Sequence, residues 1–475
     1  MKTSVITWLF ISVMGLLSSH AIAAKNVILI IGDGMDDQQI TAARNYLKGA
    51  QGRTVLDTLP VRSAVQVLTV DEHDPNTAVY VADSANSATA MATGVTTSIG
   101  RIGTSAKHDT DLTTIIELAE RQGMKTGLVT TASVTDATPA SFIAHVNNRG
   151  CEMPLRMVNY EDRGDRIIDC SSDIKAEGGK GSISEQIAEG QVDVVLGGGR
   201  KYFAQTAEGQ SITIQELAQK NGYAVVDELN QLENVPHDQK VMGLFSRKTL
   251  PVRLRGTDGR IAEEPEFSLL NWIHRYLGTV DLPDVMTCEP NPEFIQKQTP
   301  HLKDMSALAL SRLKNENGFF LMIESASIDK QSHKRNPCGS IGEAEQLFEA
   351  VDVALEFAKE QPDTLILITA DHGQAAQVVP NGSLFDVYGV PVATPGAVAR
   401  ILTPEGGVMA INYATNTFNS EEHTGVNVPL FANKNVLNQK GEPMITGLIQ
   451  QRDIFEISTQ YLGLDTGSDL AGNSP

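Results

Sequence analysis

One pattern limits this chain to few folds. Short, continuous apolar runs recur along it, with amphipathic segments between them. The runs are NVILIIG, TGLVTTA, VDVVLGGG, GFFLMIES, TLILITA and VMAINYA. A run that is apolar at consecutive rather than alternate positions suits a strand covered on both faces, as strands of a parallel sheet are. The intervening segments DLTTIIELAERQG, HLKDMSALALSRLKNEN and EAEQLFEAVDVALEFAKEQ have the spacing of amphipathic helices. The alternation predicts one α/β domain over residues 24–475, a mostly parallel central sheet sandwiched by helices. No internal repeat or low-complexity linker divides it. Two stretches near 245–300 and 375–407, rich in Gly, Pro and charge, read as surface insertions, and such excursions often border active sites.

Residues 1–23 read as a secretory signal, with Lys2 as the charged start, an apolar run from Val5 to Leu17, and Ala21-Ile22-Ala23 as the cleavage site. That run is too short to span a bilayer comfortably. We therefore expect a soluble, exported chain, periplasmic or secreted, cleaved near Ala23 and with no membrane partner. Lys and Arg number 38 against 58 Asp and Glu, a formal charge of −20. Such a chain repels nucleic acid and anionic lipid. An anionic substrate then needs locally concentrated positive charge, and bound metal ions are one way to supply it. Four cysteines in an exported chain suggest two disulfides. Of the possible pairings, Cys151 with Cys170 and Cys288 with Cys338 close the shortest loops, and this is the pairing we expect.

Ligands of an open parallel sheet bind beyond the carboxyl ends of its strands. Asp33 follows NVILIIG, Glu324 lies in GFFLMIES with Asp329 and His333 just after it, Asp371 and His372 follow TLILITA, and His423 comes after VMAINYA in EEHTG. Any one of these alone reads as a capping carboxylate or a satisfied histidine; together they point to metal. Asp329 and His333 are four apart, so on a helix they share a face and can grip one ion. Mixed Asp/His sets suit zinc, and carboxylate with hydroxyl oxygen suits magnesium, so the residues can fill more than one site. The run VADSANSATAMATG at 81–94 admits two readings. It can be a small-residue helix packed against a neighbour with Asp83 or Ser84 as N-cap, or a helix start at which something anionic approaches Ser84.

Six motifs occur in order: IGDGM around Asp33, DSANSATA, DATPA followed by HVNNR, ESASIDKQSH, TADHG and EEHTG. In this register they resemble the bacterial alkaline phosphatases of the periplasmic type, over residue 26 to about 463. TADHG alone is shared with a wider superfamily of metal-dependent phospho- and sulfo-transfer enzymes. One departure is Asp36, where the family commonly has Gly, and the segment around EPEFSLLNWIHRYLG matches poorly. The resemblance implies that Ser84 is the nucleophile. It implies that Asp329, His333 and His423 hold a first zinc, that Asp33, Asp371 and His372 hold a second, and that Asp33, Thr138 and Glu324 hold magnesium. Arg149 is then the phosphate clamp and Asp83 its orienting partner, with Asp136 and Lys330 around magnesium and phosphate. The cysteines fall at positions like those of the family's two disulfides, and the family implies a homodimer.

The function expected on this basis is an exported phosphomonoesterase with two Zn2+ and one Mg2+ per chain. It hydrolyses small-molecule phosphate monoesters through a phosphoserine and releases inorganic phosphate; nucleic acid is not a partner. A serine hydroxyl is a poor nucleophile at neutral pH, and coordination to zinc lowers its pKa toward the working range. A phosphodiesterase or sulfatase relative on the same fold shares the two-metal core, but Arg149, Lys330 and the magnesium ligands crowd the site around a doubly charged terminal phosphate. A secreted metal- or phosphate-binding protein without catalysis would lack a nucleophile or ligand, and none is missing.

Overall fold

The apolar runs do pair as expected, with one exception. In the computed structural model, which describes residues 25–162, 166–383, 385–390 and 393–467, ten strands form one sheet; the expected leader lies outside these residues. In chain order the strands are β1 (Asn26–Gly32), β2 (Val61–Gln66), β3 (Lys125–Ser133), β4 (Val194–Gly198), β5 (Ala224–Val226), β6 (Val241–Leu244), β7 (Phe319–Ser325), β8 (Thr364–Ala370), β9 (Val428–Ala432) and β10 (Leu448–Gln450). Their order across the sheet is β10, β2, β9, β8, β1, β7, β3, β4, β6, β5. Only β9 runs antiparallel to its neighbours. Every residue of β1, β7 and β8 is buried, as consecutive apolar positions require.

The helices that matter for the site are α1 (Asp37–Lys48), α2 (Ser84–Thr93), α3 (Ala137–Ala140), α4 (Leu302–Leu313), α5 (Ser327–His333), α6 (Pro337–Glu360) and α7 (Gln451–Leu462). Their starts follow from local chemistry. Asp36 caps α1, Asn336 caps α6 ahead of Pro337 at the first turn, and Asp83 caps α2. The long α6 packs on β1, β7 and β8, while α7 packs on α2 and β1. Together these helices flank the sheet.

The exception is VMAINYA. Val408–Tyr413 is the middle strand of a separate three-stranded antiparallel sheet, between Gln377–Val379 and Ala397–Leu402. Its residues are covered by a second small core that includes Met286, Ile341, Ala397 and Ile401. Consecutive apolar positions report that both faces are covered, not which sheet the strand belongs to. The 245–300 stretch forms two short antiparallel pairs and two short α-helical segments, Pro292–Gln296 and Leu269–Ile273, the second of which exposes Leu269, Trp272 and Ile273. The disulfides are Cys151–Cys170 and Cys288–Cys338, the pairing that the shortest loops favoured. Among the described residues no helix is long and apolar enough to cross a membrane.

Candidate active site

Register brings the strand exits level. Gly32 stands opposite both Ser325 and Ala370, so Asp33 and Asp371, each the next residue along, leave the sheet side by side. Glu324 lies opposite Ile31 and Thr130 near the ends of β1 and β3. After β7 the chain turns into α5, which carries Asp329, Lys330 and His333. After β3 it turns into α3, with Asp136 as N-cap and Thr138 inside. Ser84 arrives from elsewhere, as the first residue of α2. All ten residues of α2 are buried, which is why the run is made of small side chains. Asp83 accepts the Asn86 N–H at 3.1 Å, and Ser84 Oγ then sits 3.1 Å from His372 Nε2.

Two groups of ligand-type atoms converge: Asp33, Asp371 and His372, and Asp329, His372 and His423, each group within 4.8 Å. His372 belongs to both. His333 joins the second, its Nε2 3.3 Å from Asp329 Oδ2 and 3.2 Å from His423 Nε2. The ring nitrogens on the far sides meet carbonyls. His423 Nδ1 is 2.9 Å from the Ala82 oxygen, His372 Nδ1 is 3.3 Å from that of Gly373, and His333 Nδ1 faces that of Glu421. A proton on each Nδ1 leaves the three Nε2 lone pairs directed inward, the form a metal takes.

The electrostatics fit cations. Asp33 Oδ1 and Asp371 Oδ2 are buried without a hydrogen-bond partner, an arrangement that costs free energy unless a cation meets them. Burial first, and then the Asp329 and Asp371 charges, hold the Asp33 carboxyl well above the usual range. Burial pushes His372 down to about 4. On His423 burial acts the same way, but Asp329 outweighs it and raises the ring to about 9, so a cation there would compete with a proton. The donor set, carboxylate oxygens with imidazole nitrogens, is that of zinc.

Beside these lies an oxygen-only corner. The Glu324 carboxylate accepts from the Thr130 hydroxyl and contacts that of Thr138, and burial pushes it up to about 7. Asp33 is near enough to feel the Glu324 charge. Hard oxygen donors of this kind suit magnesium. Next to it a charge chain runs outward. Lys330 Nζ is 2.7 Å from Asp136, and Arg149 bonds Asp136 at 3.2 Å and Asp83 at 3.0 Å. Burial opposes ionisation of Asp136, but Lys330 and Arg149 outweigh it and hold the carboxyl below the usual range. The two acids fix the plane of the Arg149 fork, and the Arg149 side chain as a whole is about a third exposed to solvent (31%).

The structure therefore brings all thirteen expected residues into one neighbourhood, and adds several that the sequence did not single out. Gln374 donates to Asp329 Oδ1 at 2.6 Å, Gln451 donates to the Asp371 carbonyl, and Thr130 supports Glu324. Asp36 does more than alter a turn. Its Oδ1 caps α1 while its Oδ2 accepts the Gln374 N–H at 3.2 Å. Gln and Thr are ordinary in loops and strands, so only the departure at Asp36 carried any signal.

A profile of the family described as alkaline phosphatase matches residues 24–392. The chain is 40% identical over 450 residues to the alkaline phosphatase of Escherichia coli, covering 93% of this chain and 86% of that protein. It is 38% identical over 448 residues to the streptomycin-6-phosphate phosphatase of Streptomyces griseus, covering 93% and 91%. Among solved structures, the alkaline phosphatase of the Antarctic bacterium TAB5 has a TM-score of 0.62 at 21% identity, over 94% of this chain and 99% of that one. That of Thermus thermophilus has a TM-score of 0.63 at 19% identity, over 93% and 92%. These last two likenesses concern the fold.

Proposed function

Because the chain belongs to the alkaline phosphatase family and is a phosphoric monoester hydrolase, we propose that it is exported, metal-dependent, and works through a phosphoserine on Ser84. The observation that carries this reading is the position of Ser84 Oγ, 3.1 Å from the Nε2 of His372, the one residue common to both ligand groups. In this reading Asp329, His333 and His423 hold one Zn2+, Asp33, Asp371 and His372 a second, and Asp33, Thr138 and Glu324 an Mg2+. Such ions supply Lewis-acid polarisation of phosphoryl oxygens and lower the pKa of oxygen nucleophiles.

The chain's own residues do the rest. Arg149, oriented by Asp83 and Asp136, offers a planar fork to two phosphoryl oxygens. The start of α2 adds backbone N–H groups around Ser84, where negative charge is favoured. Ser84 Oγ attacks phosphorus, the bond from phosphorus to the ester oxygen breaks, and the alcohol leaves with a proton. Water then attacks the same phosphorus, the bond to Ser84 Oγ breaks, and inorganic phosphate departs. Lys330, held against Asp136, adds positive charge beside the bound phosphate.

Acid quenching after incubation with radiolabelled inorganic phosphate tests the covalent step. Label on the peptide containing Ser84, absent in Ser84→Ala, is the expected result; label on Ser87 in place of Ser84 overturns the assignment. Metal analysis should return two zinc and one magnesium per chain. Amino-terminal sequencing of the exported protein should begin just after Ala23, and sedimentation should give a homodimer.

A further inference from the structure

On a chain of net charge −20 one stretch of the sheet edge is basic. In the sheet order β4 and β6 follow β3, all parallel. Their exits lie on the same edge as Asp136 and Thr138, about 5 and 10 Å further along at ordinary strand spacing. The exit of β4 reads Gly199-Arg200-Lys201-Tyr202, and that of β6 reads Phe245-Ser246-Arg247-Lys248. Backbone bonds lock the two together. The Gly199 N–H donates to the Ser246 and Lys248 carbonyls at 3.0 Å each, and the Lys201 N–H to the Arg247 carbonyl at 3.2 Å. The loop after Arg149 completes the cluster. Arg156 lies 5.8 Å from the Tyr202 ring centre and Lys201 Nζ 4.1 Å from it.

The nearby acids are already engaged. Glu152 accepts from Thr135 at 3.0 Å and pairs with Arg156, and Asp227 pairs with Arg200. Lys201, Arg247 and Lys248 have no carboxylate partner among the described residues, and the last two are exposed. Their closeness is felt at Lys201: burial pushes its ammonium down, Glu152 opposes, and Lys248, Arg156 and Arg247 push it further. Like charges gathered without partners contribute repulsion, not stability. An anion arriving from outside relieves it.

We propose that the exits of β4 and β6 form an anion subsite beside the phosphate site, in which Lys201, Arg247 and Lys248 receive a second phosphate or carboxylate on the leaving portion of the ester. The preferred substrates are then phosphate monoesters that carry a further anionic group. This deepens the phosphomonoesterase reading and rests on it. Exposed cations act on encounter and binding, so the effect falls on KM and weakens with salt.

The holoenzyme is compared on phenyl phosphate and 4-carboxyphenyl phosphate, at low salt and at about 0.5 M, several times the ionic strength at which exposed charges are already screened. For wild type the ratio of kcat/KM, carboxylated over plain ester, is expected to be several-fold above one at low salt and to fall toward one at high salt. In the triple variant Lys201→Ala, Arg247→Ala, Lys248→Ala the low-salt ratio should fall several-fold, to about one, through KM, as the loss of a few exposed ion pairs gives. A ratio that is the same in variant and wild type overturns the subsite. Binding of the non-hydrolysable phenylphosphonate and 4-carboxyphenylphosphonate to both proteins gives a readout independent of turnover. Selective loss of the carboxylated compound in the variant supports the subsite, and equal binding overturns it. Failure of wild type to turn over phenyl phosphate would instead strike the phosphomonoesterase reading.

Discussion

The Asp36 carboxylate serves two backbone segments at once. One oxygen caps α1 and the other holds the Gln374 N–H, and the Gln374 side chain holds Asp329. Asp36→Ala should lose about 1 kcal/mol for the cap and also release zinc faster to a competing chelator, because Asp329 is less constrained. Asp36→Asn keeps a cap and should fall between; zinc release at the wild-type rate in Asp36→Ala would separate the cap from the metal. At the reaction centre, Ser84→Ala is expected to lower kcat on the order of 10³-fold or more while zinc content stays at the wild-type value. The pair Asp329 and His333 was legible from spacing alone. Gln374 was not, because its role exists only where the exit of β8 meets α5.

Among the elements, α6 carries a buried acid with a consequence for pH. Glu343 accepts from the Arg253 N–H at 3.2 Å and the Gln346 side chain at 2.8 Å, and burial pushes it up from 4.5 to about 7. The folded protein thus holds this proton more tightly than the unfolded chain. The contribution is full below about pH 4.5 and is lost as pH rises through about 7. Glu343→Gln keeps an acceptor for both donors, so denaturant unfolding should find it more stable than wild type above pH 7, by on the order of 3 kcal/mol, and no more stable at pH 4. The loop that carries Arg149 offers a second test. Cys151, two residues on, ties it to Cys170 across 19 residues. Replacing both cysteines by serine should cost about 3 kcal/mol of stability and raise KM, since Arg149 is no longer held; an unchanged KM would show that Asp83 and Asp136 hold the fork by themselves.

For the molecule as a whole, the two groups around His372 bring carboxylates from β1, β8 and α5 into one buried space. Removing divalent cations should abolish turnover and lower Tm together, because mutual repulsion of Asp33, Asp329 and Asp371 is then uncompensated. Zinc and magnesium added back should restore both, and full activity after verified metal removal would sink the metal-dependent reading. Calorimetry of the chelated and reloaded protein makes the comparison directly.

Local pattern was enough to show an α/β chain with a mostly parallel sheet, the chemistry-bearing residues at its strand ends, and the two shortest disulfide loops. Each of these depends on burial periodicity, residue type or separation along the chain, which neighbours in sequence record. Strand order is different. It made β9 antiparallel, put VMAINYA in another sheet, set Ser84 against His372, let His372 serve both ligand groups, and put the basic exits of β4 and β6 on the same sheet edge as the exit of β3. These are contacts between residues tens to hundreds of positions apart. They are chosen by how apolar faces cover one another in the packed whole, and no local run of residues carries that choice.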